Sequence, residues 1–144
     1  MPSIRHGALE LDFPSEWEDC TTVLLARPPK NGVRPTFTAN ALHVPPKAKV
    51  DTVIAEQIAH LSKVLPGFKL LAKAKKKHGP HSGTQLEFQH EGAGTRLVQV
   101  QFLFGTDASS AGKQVWTFTL TDVPESLEAV RRAADELFGR AKLS

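Results

Sequence analysis

"TRLVQVQFLFG", residues Thr95–Gly105, decides the fold. Val98, Val100, Phe102 and Phe104 recur at every second position, with Gln99 and Gln101 between them. A period of two is the mark of a strand with one buried face, whereas a helix would repeat at three and four. "KQVWTFTLTD" (Lys113–Asp122) follows the loop "TDASSAG" (Thr106–Gly112) and repeats the pattern. Trp116, Phe118 and Leu120 take one face, and Thr117, Thr119 and Thr121 the other. Upstream, "TQLEFQH" (Thr84–His90) is joined to the central strand by "EGAG" (Glu91–Gly94), which has hairpin-turn chemistry.

Further out, "FKLLAKAKKKH" (Phe68–His78) is another strand, closed by "GPHSG". Three strands are expected in the first third of the chain: Ala8–Phe13, Cys20–Arg27 and Arg34–Val44. Two stretches break the period. In "VDTVIAEQIAHLSKVL", Val50, Val53, Ile54, Ile58, Leu61 and Leu65 recur at three and four, which predicts a helix over 50–65. Asp51 is the expected N-cap and Pro66–Gly67 the stop. Leu127, Val130, Ala134, Leu137 and Phe138 predict a second helix over 124–140, with Pro124 at its first position. The order βββ–α–ββββ–α predicts an α+β fold, residues 1–144 as one domain, with a single curved, mainly antiparallel sheet and two helices. One sheet face is expected to pack on the helices. The other, rich in Gln and Thr, is expected to be open.

Composition narrows the function. The chain has 144 residues, 40% hydrophobic and 23% charged, an ordinary globular profile. A net charge of +3 without any tyrosine is a poor match to a nucleic-acid binder with a dense basic stripe and stacking aromatics. One cysteine excludes an internal disulfide. "MPSIRHGALE" lacks the apolar core of a signal peptide, and the longest apolar run is Val23–Ala26, so the expected location is cytoplasmic without membrane insertion.

No catalytic constellation is legible, and the expectation is a protein that is not an enzyme and takes no cofactor. Nothing in the spacing ties a base to Cys20, and a small apolar role suits it. Trp17, in "LDFPSEWED" (Leu11–Asp19), suits a turn that covers one end of the core. His78, His81 and His90 do not have the spacing of a zinc site, and no metal ligands are assigned. "DASSAGKQ" lacks the first Gly and the Ser/Thr of a phosphate loop and leads into a strand. The lysines of Lys69–Lys77 read as a charged edge strand that resists unwanted pairing, with an anion-binding surface as the alternative. Gln85, Gln89, Gln99, Gln101, Thr117 and Thr119 fall at alternate positions on neighbouring strands. Uncharged amides and hydroxyls can meet a partner without the cost of desolvating charges.

Four stretches in this order resemble the DcrB-like domain family: "LDFPSEWED", "IAEQIAHLSKVLPGFKLL" (Ile54–Leu71), "KQVWTFTLTD" and "PESLEAVRRAADELF" (Pro124–Phe138). The similarity spans roughly Leu9 to Leu143. It implies the PsbP-like α+β fold. Among short members without a signal, it implies the EagR-type chaperones of type VI secretion, which are dimeric adaptors that cradle the hydrophobic N-terminal segments of effectors. On that resemblance Gln101 lies where the family's partner-facing amides sit. The expected partner-binding residues are Gln99, Gln101, Leu24, Leu42, Thr117 and Thr119, acting in a homodimer on apolar helices of a secreted effector. Two alternatives stand beside this: a small ligand or another protein on the sheet face, or an anion or nucleic acid on the lysine strand.

Overall fold

The computed structural model describes residues 2–16, 22–29, 34–92, 94–108, 112–123 and 127–141. Trp17, Cys20 and the expected helix start at Pro124 lie outside them. The strands are β1 Ser3–His6, β2 Leu9–Asp12, β3 Val23–Ala26, β4 Thr36–His43, β5 Lys69–His78, β6 His81–Gly92, β7 Thr95–Ala108 and β8 Gly112–Asp122; the helices are α1 Val50–Val64 and α2 Leu127–Gly139. The fold is α+β, with two helices and antiparallel sheets. Six strands make the main sheet in the order β3-β4-β8-β7-β6-β5. The alternating strands of Thr95–Ala108 and Gly112–Asp122 form its centre, as their apolar alternation requires.

The register sorts every side chain to a face, because residues opposite each other in an antiparallel pair point the same way. Val98, Val100, Phe102 and Phe104 share a face with Phe118, Leu120 and Ala39, and α2 covers it with Val130, Ala134 and Phe138. Phe138 is completely buried, with ring centroids 5.7–6.2 Å from Phe37, Phe102 and Phe118. Leu86, Phe88 and Leu103 point to the opposite face, where α1 covers them with Ile54 and Leu61. The two helices therefore lie on opposite faces, not on one as expected. The stripes predict helices but not sides, and a sheet with two apolar patches needs a cover for each.

Local chemistry sets the boundaries. Lys49, not Asp51, is the N-cap of α1, and it makes no side-chain cap bond. Asp51 sits in the first turn, where its carboxylate is bonded to Lys75 Nζ at 2.8 Å. Gly105 lets α1 come close to β7, since a Cβ there would stand 2.7 Å from Val50 Cγ2. The two-residue turn between β5 and β6 uses Gly79 at φ +58, whose added Cβ would meet the Gly139 carbonyl at 2.9 Å. The first strands differ from expectation. β2 pairs with β1, which the alternation of Ala8–Phe13 does not reveal, and the two form a separate ribbon in which Leu9 and Leu11 are exposed.

Candidate functional site

α1 covers only part of its face, leaving the β8–β4–β3 side open. The row Leu24–Thr38–Thr119–Gln101–Leu86 crosses five strands on that face. The next row joins Asn40, Thr117, Leu103 and Thr84, and another places Leu42 beside Val115 and Gly105. Leu86 and Leu103 lie under α1, whereas Thr36, Thr38, Thr117, Thr119 and Thr121 are half-buried, and Asn40, Leu24 and Leu42 are exposed. The result is a bay walled by α1 and floored by hydroxyls, one amide and two leucines. From Thr36 to Leu42 on β4 and from Val115 to Thr121 on β8, its floor carries no charge. At one end it opens into a depression of about 590 Å³, where Leu42, Val44, Pro45 and Val53 are joined by the charged side chains Lys47, Lys49 and Glu56.

All six residues expected to bind a partner point to this face, but not equivalently. Leu24 is 62% and Leu42 56% exposed, on the floor. Gln101 is 5% exposed, and among the described residues its buried Oε1 has no hydrogen-bond partner. Gln99 is engaged with His90, 3.2 Å from its Nε2. His90 Nδ1 lies 3.3 Å from the Glu91 carbonyl, which can only accept, so Nε2 is left to accept from the Gln99 amide. Thr36, Thr38 and Asn40 also belong to the floor, beyond the six expected residues. Their signal was the alternation of "TFTANAL", Thr36–Leu42.

Gln85 and Gln89 are not part of the face. They pair with Phe102 and Val98 and point towards α2. There Gln85 holds a docking network. Its Nε2 donates to Glu87 Oε2 at 3.4 Å, so its Oε1 accepts from His78 Nε2 at 2.7 Å. Arg131 of α2 donates from Nε and a terminal nitrogen to Glu87 Oε1 at 2.9 and 2.8 Å. This hydrogen bond to the carboxylate raises the Arg131 guanidinium above its ordinary value.

The lysine strand is an edge, and two of its five lysines hold the helices. Lys75 bonds Asp51 of α1 on one face, and Lys76 lies 3.5 Å from Asp135 of α2 on the other. The hydrogen bond from Lys75, followed by its charge, keeps the Asp51 carboxyl below the usual carboxylate range. The three histidines do not converge. His78 and His81 pack against Phe102 and Phe104 on the α2 face, and His90 sits on the α1 face. Among the described residues no group of three or more His, Cys, Asp or Glu could hold a metal, and no helix is long and apolar enough to cross a membrane.

A comparison with curated proteins finds no match. The family model DcrB matches residues 8–138, and the chain belongs to that family. Among solved structures, a Pseudomonas aeruginosa protein of unknown function, PA94, for which a regulatory role has been suggested, is 21% identical with a TM-score of 0.78, over 100% of this chain and 97% of that one. LpqN of Mycobacterium tuberculosis, involved in cell envelope biogenesis, is 14% identical with a TM-score of 0.60, over 96% and 87%. At these identities the likeness is one of fold.

Proposed function

We propose that this DcrB-family chain is a non-catalytic, cytoplasmic adaptor that shields hydrophobic N-terminal helices of a type VI secretion effector. The observation that carries the reading is the uncharged bay. In a chain with 23% charged residues, an open sheet face normally carries Lys and Glu. Here the floor offers hydroxyls, an amide and leucines, a surface that an apolar helix can cover without burying an unpaired charge.

The dimensions support one helix. Strand axes lie roughly 4.8 Å apart, so β8 to β3 spans about 10 Å, close to the ~10–12 Å diameter of a helix. The eight residues of β4 extend about 26 Å, the length of roughly 17 helical residues. Affinity comes mainly from apolar area. Each bond from a threonine hydroxyl to the guest adds about 1 kcal/mol. A homodimer belongs to this reading and is supported by the contrast between the sheet edges. β3 exposes Val23, Leu24 and Leu25 and carries no charge, whereas β5 carries five lysines.

The test is co-purification with an effector that has hydrophobic N-terminal helices, with light scattering for the dimer. Leu42→Asp and Thr119→Glu place a carboxylate on the bay floor and should abolish capture while leaving the folded state intact. Unaltered capture by both variants would remove the bay from the reading.

A further inference from the structure

On the α2 side of the sheet, away from the bay, the β3–β4 end holds a separate cavity of about 170 Å³. Leu25, Phe37, Leu120 and Leu137 supply its apolar walls, and Arg27 stands at its rim. Arg34 lies alongside, its Nε donating to the Arg27 carbonyl at 3.1 Å. Among the described residues no acidic side chain lines the cavity, and neither guanidinium has a carboxylate partner. We propose that this slot is a binding site for an alkyl chain bearing a carboxylate, with the chain against Leu25, Phe37 and Leu137 and the head group on Arg27.

Two features point to that chemistry. The slot opens to solvent at Arg27, and its volume is close to that of a roughly 150 Å³ apolar cavity that takes up a benzene-sized guest, so it suits a chain of about six to eight carbons. Its walls at Leu25, Phe37, Leu120 and Leu137 are apolar and give water little to bond. The rim then chooses the head group. A guanidinium without a carboxylate partner among the described residues offers a planar fork of donors that matches a carboxylate, while an ammonium head would meet two like charges. A neutral alcohol would fill the slot but leave the arginines unanswered. The site does not depend on the proposed chaperone activity. A second copy pairing along β3 would add in the plane of the sheet and leave the α2 side of Leu25 uncovered.

The test uses the full chain, isotope-labelled, titrated with octanoate, octanol and octylammonium, each below its micelle concentration. Octanoate should bind saturably and shift the amides of Leu25, Ala26, Thr36 and Phe37, while Thr117 and Thr119 stay unmoved. Octanol should bind more weakly, and octylammonium weakest. Arg27→Glu, at an exposed position, should weaken octanoate about tenfold and leave octanol unchanged. Failure of octanoate to saturate overturns the proposal. So do shifts confined to the Thr117 and Thr119 face, or equal binding of octanoate and octylammonium. If Arg27→Glu proves misfolded, Arg27→Gln gives the same reading, and octanoate that still binds it as tightly as the parent overturns the role of the head group.

Discussion

Replacing Gln101 with Met should stabilise this protein. Gln101 lies on the central strand with Leu86 beside it on β6 and Thr119 on β8, and it is 5% exposed. Its Oε1 is buried and has no hydrogen-bond partner among the described residues. A buried acceptor left unsatisfied costs about 1–3 kcal/mol. Met is unbranched, of similar length and adaptable in shape, so its packing penalty stays under about 1.5 kcal/mol. The balance is a gain of about 1 kcal/mol, which for a chain of this size raises Tm by roughly 2–4 °C. The assay is urea unfolding, with a higher midpoint at unchanged slope. Loss of 1 kcal/mol or more in the Met variant would refute the reasoning, because it would mean that the amide oxygen is satisfied in the folded protein. Gln101→Glu is a different experiment. It buries a carboxylate at the same place and weakens the fold before any partner is met. If the Met variant gains stability and loses effector capture, the orphaned amide is kept for the partner.

Three further outcomes follow from the packing. Phe138→Ala empties the centre of the aromatic cluster under α2 and should cost about 3–5 kcal/mol in chemical denaturation; a loss under 1 kcal/mol would mean that α2 is not seated as described. Lys75→Ala should let the Asp51 carboxyl rise into the ordinary carboxylate range, read by NMR titration. Because the folded-state value is depressed, the stability from this pair is present above the ordinary range and lost as pH falls through the lower, folded value, so variant and parent should converge in acid. Gly79→Ala places a Cβ on a residue at φ +58, against the Gly139 carbonyl; it should destabilise by about 1–2 kcal/mol, and a neutral result would contradict the close approach of the β5–β6 turn to α2.

Period carries the strands and helices of this chain because it is local. Val98 to Phe104 and Trp116 to Leu120 read as buried faces from sequence; Val98, Val100, Phe102, Phe104, Phe118 and Leu120 are buried, and Trp116 packs half-buried at their margin. Val50, Ile54, Ile58 and Leu61 read as a stripe, and they pack as one. What period does not carry is the side of the sheet on which a stripe lands. That depends on Leu86, Phe88 and Leu103, which form a second apolar patch only once β6 and β7 are paired in register. The β1–β2 ribbon escaped for a related reason. Leu9 and Leu11 alternate like a core strand, yet their partner is the short polar β1 and both remain exposed.

The candidate site shows how much a single register decides. Gln85 and Gln99 sit on adjacent strands, and each alternates with apolar neighbours, so alone each strand allows either face. Pairing Gln85 with Phe102 sends it to α2, and pairing Phe88 with Gln99 sends that glutamine to α1. A shift of one residue would exchange the two. Once the register is set, one amide becomes part of the Glu87–Arg131 docking network and the other borders the bay. The threonines of β4 and β8 need no such arbitration. Thr36 faces Thr121 and Thr38 faces Thr119, so both strands turn the same chemistry to one side. The bay follows from α1 being seated on Leu86, Phe88 and Leu103. A helix anchored there leaves the β8–β4–β3 side without a cover of its own, and the residues that remain are those with the least charge to desolvate.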